Sequence, residues 1–213
     1  MNQVKKIKKL ENLSYFKRVT ISQYVNAKKN ALSADINRWI KNGILIQLKK
    51  GFYVTSNYFE KLRNKTSYME FISNKLREPS YLSLEYVLQK HGILTESIYS
   101  INSITIKSSR IYKNKLGLFI YRNIKDELFT GFNILEKDGF IIKESTKVKA
   151  LFDWIYLRLL RLKQFDLALL ESFRLNLENF KPKEFEEFKR YCELAGIKKY
   201  LKLPAMLKKC KYY

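Results

Sequence analysis

Glycine is scarce in this 213-residue chain, with seven in all, and no GxxxxGK[ST], GxGxxG or GxSxG run occurs. Little material exists, then, for a loop that cradles a nucleotide phosphate or for a nucleophile elbow. Cysteine and histidine are scarcer still, with only Cys192, Cys210 and His91. Two late cysteines make no disulfide framework, no C-x-x-C spacing exists, and these three residues without local spacing give no recognisable zinc set. Long apolar runs are missing as well. The most apolar segment, 150–160, is interrupted by Asp153 and Arg158 and is too short to span a bilayer. The N-terminal lysines are not followed by the apolar run of a signal peptide. The expectation is a cytoplasmic protein with reduced thiols, no cofactor, no metal and no membrane partner.

Acid is the other shortage. Twenty Asp and Glu against 42 Lys and Arg leave a net charge of +22. With 46% hydrophobic residues and 15% aromatics the chain can build cores for one large or two small domains, so disorder is not expected. An electropositive surface of this size favours nucleic acid. Residues 1–60 hold ten lysines and two arginines against Glu11, Asp35 and Glu60, a net of +9, so the larger part of the excess lies beyond them.

Those first sixty residues read as a winged helix-turn-helix. Val4, Ile7, Leu10 and Leu13 recur every three residues, which predicts a helix with Lys5, Lys6, Lys8 and Lys9 in solvent. A second helix holding Ile21, Tyr24 and Val25 starts near Thr20 or Ser22, either of which could cap it. Residues 27–30 supply a turn, and 31–42 form a third helix closed by Gly43. At a hundred degrees per residue Leu32, Ile36, Trp39 and Ile40 share the inner side, and Asn30, Ala34, Asn37, Arg38 and Lys41 the outer. Amide and guanidinium groups are the ones that pair with adenine and guanine edges in a major groove. The period then changes: Ile44, Ile46 and Leu48 alternate with Leu45, Gln47 and Lys49, and Lys50-Gly51 turns the chain into Phe52–Thr55, a two-stranded wing whose lysines suit a phosphate backbone. The predicted DNA contacts of this part are Lys28, Lys29, Asn30, Ser33, Asn37, Arg38, Lys41, Lys49 and Lys50. A winged helix that only binds protein is the bland alternative, and the basic charge argues against it.

The rest of the chain, 63–213, reads as an α+β domain with a helical C-terminal part, the first domain being 1–62. A polar stretch from Tyr58 to Glu78, helical around 69–76, ends at Pro79. A helix capped by Ser83 and stopped by Gly92 follows, then strands at 104–107, 118–122 and 139–143, then helices at 146–160, 164–177 and 183–194. Lys107, Arg110, Lys113, Lys115 and Arg122 lie in a stretch with no acid between Glu96 and Asp126, which favours a second phosphate-contacting surface over a merely solvated face.

Gly51-Phe52-Tyr53 in the wing, then Tyr81-Leu82-Ser83-Leu84-Glu85 with His91-Gly92-Ile93-Leu94, then Ser103-Ile104-Thr105-Ile106-Lys107, and finally Lys149 to Leu157 form a series that resembles the AbiEi antitoxin family of type IV toxin–antitoxin, phage-defence loci. The resemblance covers roughly residues 5–165. One departure is Lys147-Val148, where the family commonly has Pro-Glu before the Lys-Ala-Leu-x-Asp helix, which alters the helix start. The resemblance implies a repressor that binds inverted repeats in its own promoter and opposes a nucleotidyltransferase-like toxin without a stable complex, and it implies no catalysis. His91 and Asp153 are read as structural, the first at a helix end bonding a terminal carbonyl, the second bonding Lys149 one turn earlier. Glu136, Asp138, Lys143 and Glu144 leave a metal-dependent nuclease as the alternative class.

Overall fold

The computed structural model describes residues 7–25 and 29–210, the side chains of residues 29 and 30 excepted. It is an α+β structure that divides into two compact units, one of residues 1–69 with 112–118, the other of 70–111 with 119–213. No helix among the described residues is long and apolar enough to cross a membrane.

In the first unit Ile7 and Leu10 are buried as expected, but a short 3-10 turn, Lys8–Leu10, ends there. Leu13 consequently leaves the apolar face and is 38% exposed. Strand β1 (Phe16–Lys17) runs directly into helix α1 (Arg18–Val25). The helix begins before Thr20 and Ser22, so neither caps it. Arg18 donates its N–H to Gly51 O, and Ser22 Oγ donates to Val19 O inside the helix. Helix α2 (Lys29–Lys41) buries Leu32, Ile36 and Trp39 in a core with Ile7, Leu10, Phe16, Ile21, Val25, Leu45 and Tyr53. Its end is closed by Gly43 N–H donating to Ile40 O and Ile44 N–H donating to Trp39 O, a pair of hydrogen bonds that requires a left-handed residue. Gly43 supplies it with φ +70°.

Strands β2 (Leu45–Lys49) and β3 (Phe52–Thr55) form an antiparallel hairpin on the Lys50-Gly51 turn, and β1 adds to the far side of β3. Strict alternation along β2 does not hold. Leu45, Ile46 and Leu48 are all buried, every residue of β3 is buried, and the register shifts between Gln47, opposite Tyr53, and Lys49, opposite Phe52. The sheet is covered on both faces, which a single strand's pattern does not reveal. Helix α3 (Ser56–Glu60) starts on Thr55, whose Oγ1 accepts the Tyr58 N–H. Helix α4 (Lys65–Leu76) starts on Asn64 and carries Tyr68, whose hydroxyl donates to Ser14 O.

The second unit is built on a mixed six-stranded sheet in the order β6-β7-β5-β4-β9-β8. Its strands are β4 (Ser80–Leu82), β5 (Ser100–Thr105), β6 (Arg110–Asn114), β7 (Gly117–Asn123), β8 (Phe132–Lys137) and β9 (Phe140–Ser145). The tip of the β6–β7 hairpin, 112–118, is counted with the first unit. The β4–β9 pair is parallel and the β4–β5 and β8–β9 pairs antiparallel. Helix α5 (Leu84–Lys90) packs on helix α6 (Lys147–Leu159). Thr146 caps α6 by accepting the Lys149 N–H, so a helix lacking proline in its first turn still starts cleanly. The expected 164–177 helix is only α7 (Leu167–Glu171), and helices α8 (Pro182–Leu194) and α9 (Leu203–Cys210), the second not anticipated, close the chain.

Candidate nucleic-acid interface

Helix α2 separates its residues as its period dictates: Ala34, Asn37, Arg38 and Lys41 are exposed while the apolar side is buried. Asp35 is turned largely inward and binds Arg38, Oδ1 to Nη2 2.7 Å, so this guanidinium is held along the helix while remaining 58% exposed. Ser33 is half-buried and accepts from Arg18 Nη2 at 2.7 Å, a bond that ties α1 to α2 and makes Ser33 part of the scaffold beneath the exposed face. Lys28 and the side chains of Lys29 and Asn30 lie outside the described residues.

The hairpin next to α2 meets a segment sixty residues further along. Asn114 Nδ2 donates to Leu48 O at 2.8 Å, and Asn114 Oδ1 accepts the Leu116 N–H at 2.8 Å. The side chain thus fixes its own turn and pins it to the bulged strand, whose irregular register leaves the Leu48 carbonyl available. Lys49 Nζ stands 5.0 Å from the Phe52 ring centroid and 5.8 Å from that of Tyr112, within cation–π reach of a ring from each hairpin. Between them runs an open groove of about 400 Å³ lined by Gln47, Lys49 and Lys50 on one side and Lys113, Asn114 and Lys115 on the other. Ile40 of α2 also lines it.

Sequence reasoning placed Lys49 and Lys50 on one surface and Lys113 and Lys115 on another; these four come together. Lys107, Arg110 and Arg122 are exposed in the second unit. Gln47, Tyr112 and Asn114 were missed. The Lys-Asn-Lys turn was the only local signal, and it does not say what the asparagine would bind.

Two charge networks built on buried carboxylates occupy the second unit. Lys149 and Asp153 form an ion pair with both side chains fully buried. Tyr81 Oη and Ser83 Oγ donate to Asp153 Oδ2 at 3.0 and 2.8 Å, and the ammonium lies 5.2–5.6 Å from the Tyr81, Phe152 and Tyr191 ring centroids. Ser83 sits at the start of α5, yet its hydroxyl serves Asp153 and not the helix end. Burial pushes the Asp153 carboxyl up and the Lys149 ammonium down, each opposed by the other's charge. Glu85 in the same motif accepts from Trp154 Nε1 at 2.9 Å and from Asn102 Nδ2 at 2.7 Å.

The second network joins Glu70 and Glu144, both buried, to Lys90 and Lys137 through ion pairs of 2.5–3.2 Å, with Tyr86 Oη on Glu70 at 2.7 Å. Sequence reasoning had grouped Glu144 with Glu136, Asp138 and Lys143; instead it is committed to Lys90 and Lys137. Glu136 and Asp138 are exposed, and the Lys143 backbone exchanges bonds with the Asn74 amide. No group of three metal-ligating side chains occurs among the described residues. His91 stands at the C-cap of α5, where its backbone N–H donates to Val87 O, and burial lowers its imidazole pKa. Compared with known proteins, the chain matches no family model and no curated protein.

Proposed function

We infer that the first unit is a winged helix that binds double-stranded DNA, with α2 entering the major groove and the β2–β3 hairpin following the backbone. The observation that carries this is the division of α2: Asn37, Arg38 and Lys41 stand exposed on a helix whose other side anchors the core, directly before a hairpin bearing Lys49 and Lys50. Asn37 and Arg38 have the donors and acceptors to discriminate base edges, and the lysines have only charge, which positions without reading. The chain then acts as a transcriptional repressor.

The resemblance to the AbiEi antitoxins extends the reading to control of its own operon and opposition to a nucleotidyltransferase-like toxin, with no catalysis of its own. What supports this part is the order of the resembling segments, two of which, Tyr81–Glu85 and Lys149–Leu157, meet through Asp153, as residues that define a common fold do. The alternative, a metal-dependent nuclease, would draw on Glu136, Asp138, Lys143 and Glu144, of which Glu144 is paired with Lys90 and Lys137.

The test is selection of a preferred site by the full chain from a pool of random duplexes. Asn37→Ala should cost about 1–3 kcal/mol on the selected site and leave binding to random duplex nearly unchanged. Arg38→Ala does the same but also releases Asp35, so the asparagine is the cleaner probe. Equal losses on both duplexes overturn the assignment of α2. With the gene on a foreign promoter beside the toxin, Arg38→Ala/Lys41→Ala should still protect cells; loss of protection would reduce neutralisation to repression.

A further inference from the structure

We propose that the 112–118 turn is a second wing, and that the groove between it and the β2–β3 hairpin holds one continuous stretch of duplex sugar-phosphate backbone. The proposal rests on the DNA-binding reading above and adds a site to it.

The groove's lining carries four ammonium groups, two carboxamides and no carboxylate. Folding has gathered like charges from segments more than sixty residues apart, which costs electrostatic free energy that a polyanion relieves. The gathering is built. Asn114 spends both ends of its amide, one on Leu48 O and one on the Leu116 N–H, so the turn that carries Lys113 and Lys115 is fixed to the strand that carries Lys49. Rings from both hairpins, Phe52 and Tyr112, flank the Lys49 ammonium.

The chemistry of the lining selects among anions. Ammonium groups are point charges without the planar fork that grips a single phosphate or carboxylate in two bonds. An open groove with several of them suits a row of phosphodiesters, contacted one by one without regard to sequence. Ile40 belongs both to α2 and to the lining, so the groove starts where the reading helix ends. A duplex read by the exposed face of α2 brings its backbone to that end.

The experiment measures binding of the full chain to a random-sequence duplex by fluorescence anisotropy over a series of salt concentrations. Lys113→Ala/Lys115→Ala should lower the log–log salt slope by about 1.8, since each ionic phosphate contact contributes about 0.9. With affinities equal at 1 M salt, that slope change is about a 60-fold loss at 0.1 M. Asn114→Ala, which removes no charge, should lower the slope as well by unpinning the turn, while circular dichroism shows the fold retained. Lys183→Ala/Lys198→Ala removes the same charge from exposed positions in the second unit and should leave the slope unchanged.

An unchanged slope in the Lys113/Lys115 variant, or an equal drop in the control, overturns the proposal. So does a variant that loses binding to phosphatidylglycerol vesicles while keeping its slope on DNA, which would assign the groove to a membrane surface. Failure of the α2 reading looks different: no preferred sequence is selected, yet the slope on random duplex still responds to Lys113 and Lys115.

Discussion

Lys149→Met removes the ammonium bonded to Asp153 and leaves a fully buried carboxyl on two hydroxyl donors, Tyr81 and Ser83. Breaking a buried pair by taking one partner costs about 3–5 kcal/mol near neutral pH, because the remaining carboxyl must either stay charged without a counterpart or take up a proton. The cost is pH-dependent with a definite sign. Burial already raises the Asp153 carboxyl, and Lys149 is the largest influence opposing that rise, so the variant's carboxyl moves further up. An acid raised by folding destabilises the native state as pH rises: the unfolded chain ionises near pH 4 while the folded chain keeps its proton. The stability gap to wild type therefore widens by about 1.4 kcal/mol per pH unit where the wild-type carboxyl is ionised and the variant's is still protonated, and is constant on either side of that window. Trp154, on α6 beside the pair, reports unfolding of the second unit in urea once Trp39 is replaced by Phe. The gap should be smaller at pH 5 than at pH 8, and adding Asp153→Asn to Lys149→Met should remove this widening with pH. A gap that stays constant from pH 5 to 8 refutes the reasoning.

Glu70 gives the opposite sign. Burial pushes its carboxyl up, but bonds from Lys90 and Tyr86 and the charge of Lys137 outweigh it and hold it below the ordinary value. Its stabilisation is present above the unfolded value and is lost as pH falls through the folded one, so Glu70→Gln should cost about 2 kcal/mol at pH 7 and approach wild type below pH 4. Gly131→Ala should destabilise far more than Gly139→Ala. Both glycines have positive φ, +75° and +78°, costing a side chain about 1–2 kcal/mol, but a Cβ at Gly131 falls 2.2 Å from Tyr191 Oη and at Gly139 meets nothing within 4 Å. Equal melting-temperature losses for the two would count against the close packing of Gly131.

What was legible in the sequence follows from the range of the interactions. Helix α2 could be read because its burial repeats with its own period and Gly43 ends it, both within fifteen residues. The Lys149–Asp153 pair could be read because i and i+4 meet on any helix. Helix α6 was expected at 146–160 and forms at Lys147–Leu159, but because it is buried nearly all round its sequence shows no single face to tell which neighbours it meets. Strand β4 is three residues long and passes beneath any periodicity. The composite groove depends on Asn114 reaching Leu48, 66 positions away, and no local pattern encodes that contact. The Glu70 network draws on two helices, α4 and α5, and the β8–β9 hairpin in the same non-local way.

The first unit is discontinuous, and this sets an order on its completion during synthesis. Residues 7–69 can leave the ribosome and collapse around Trp39, but the segment that pins Leu48 follows only after about fifty more residues, a delay of roughly 2–10 s at ordinary elongation rates. Through that interval α2 and the first hairpin exist without the second, so a nascent chain tethered to its ribosome can hold the surface proposed to read bases before it holds the full surface proposed to grip phosphates.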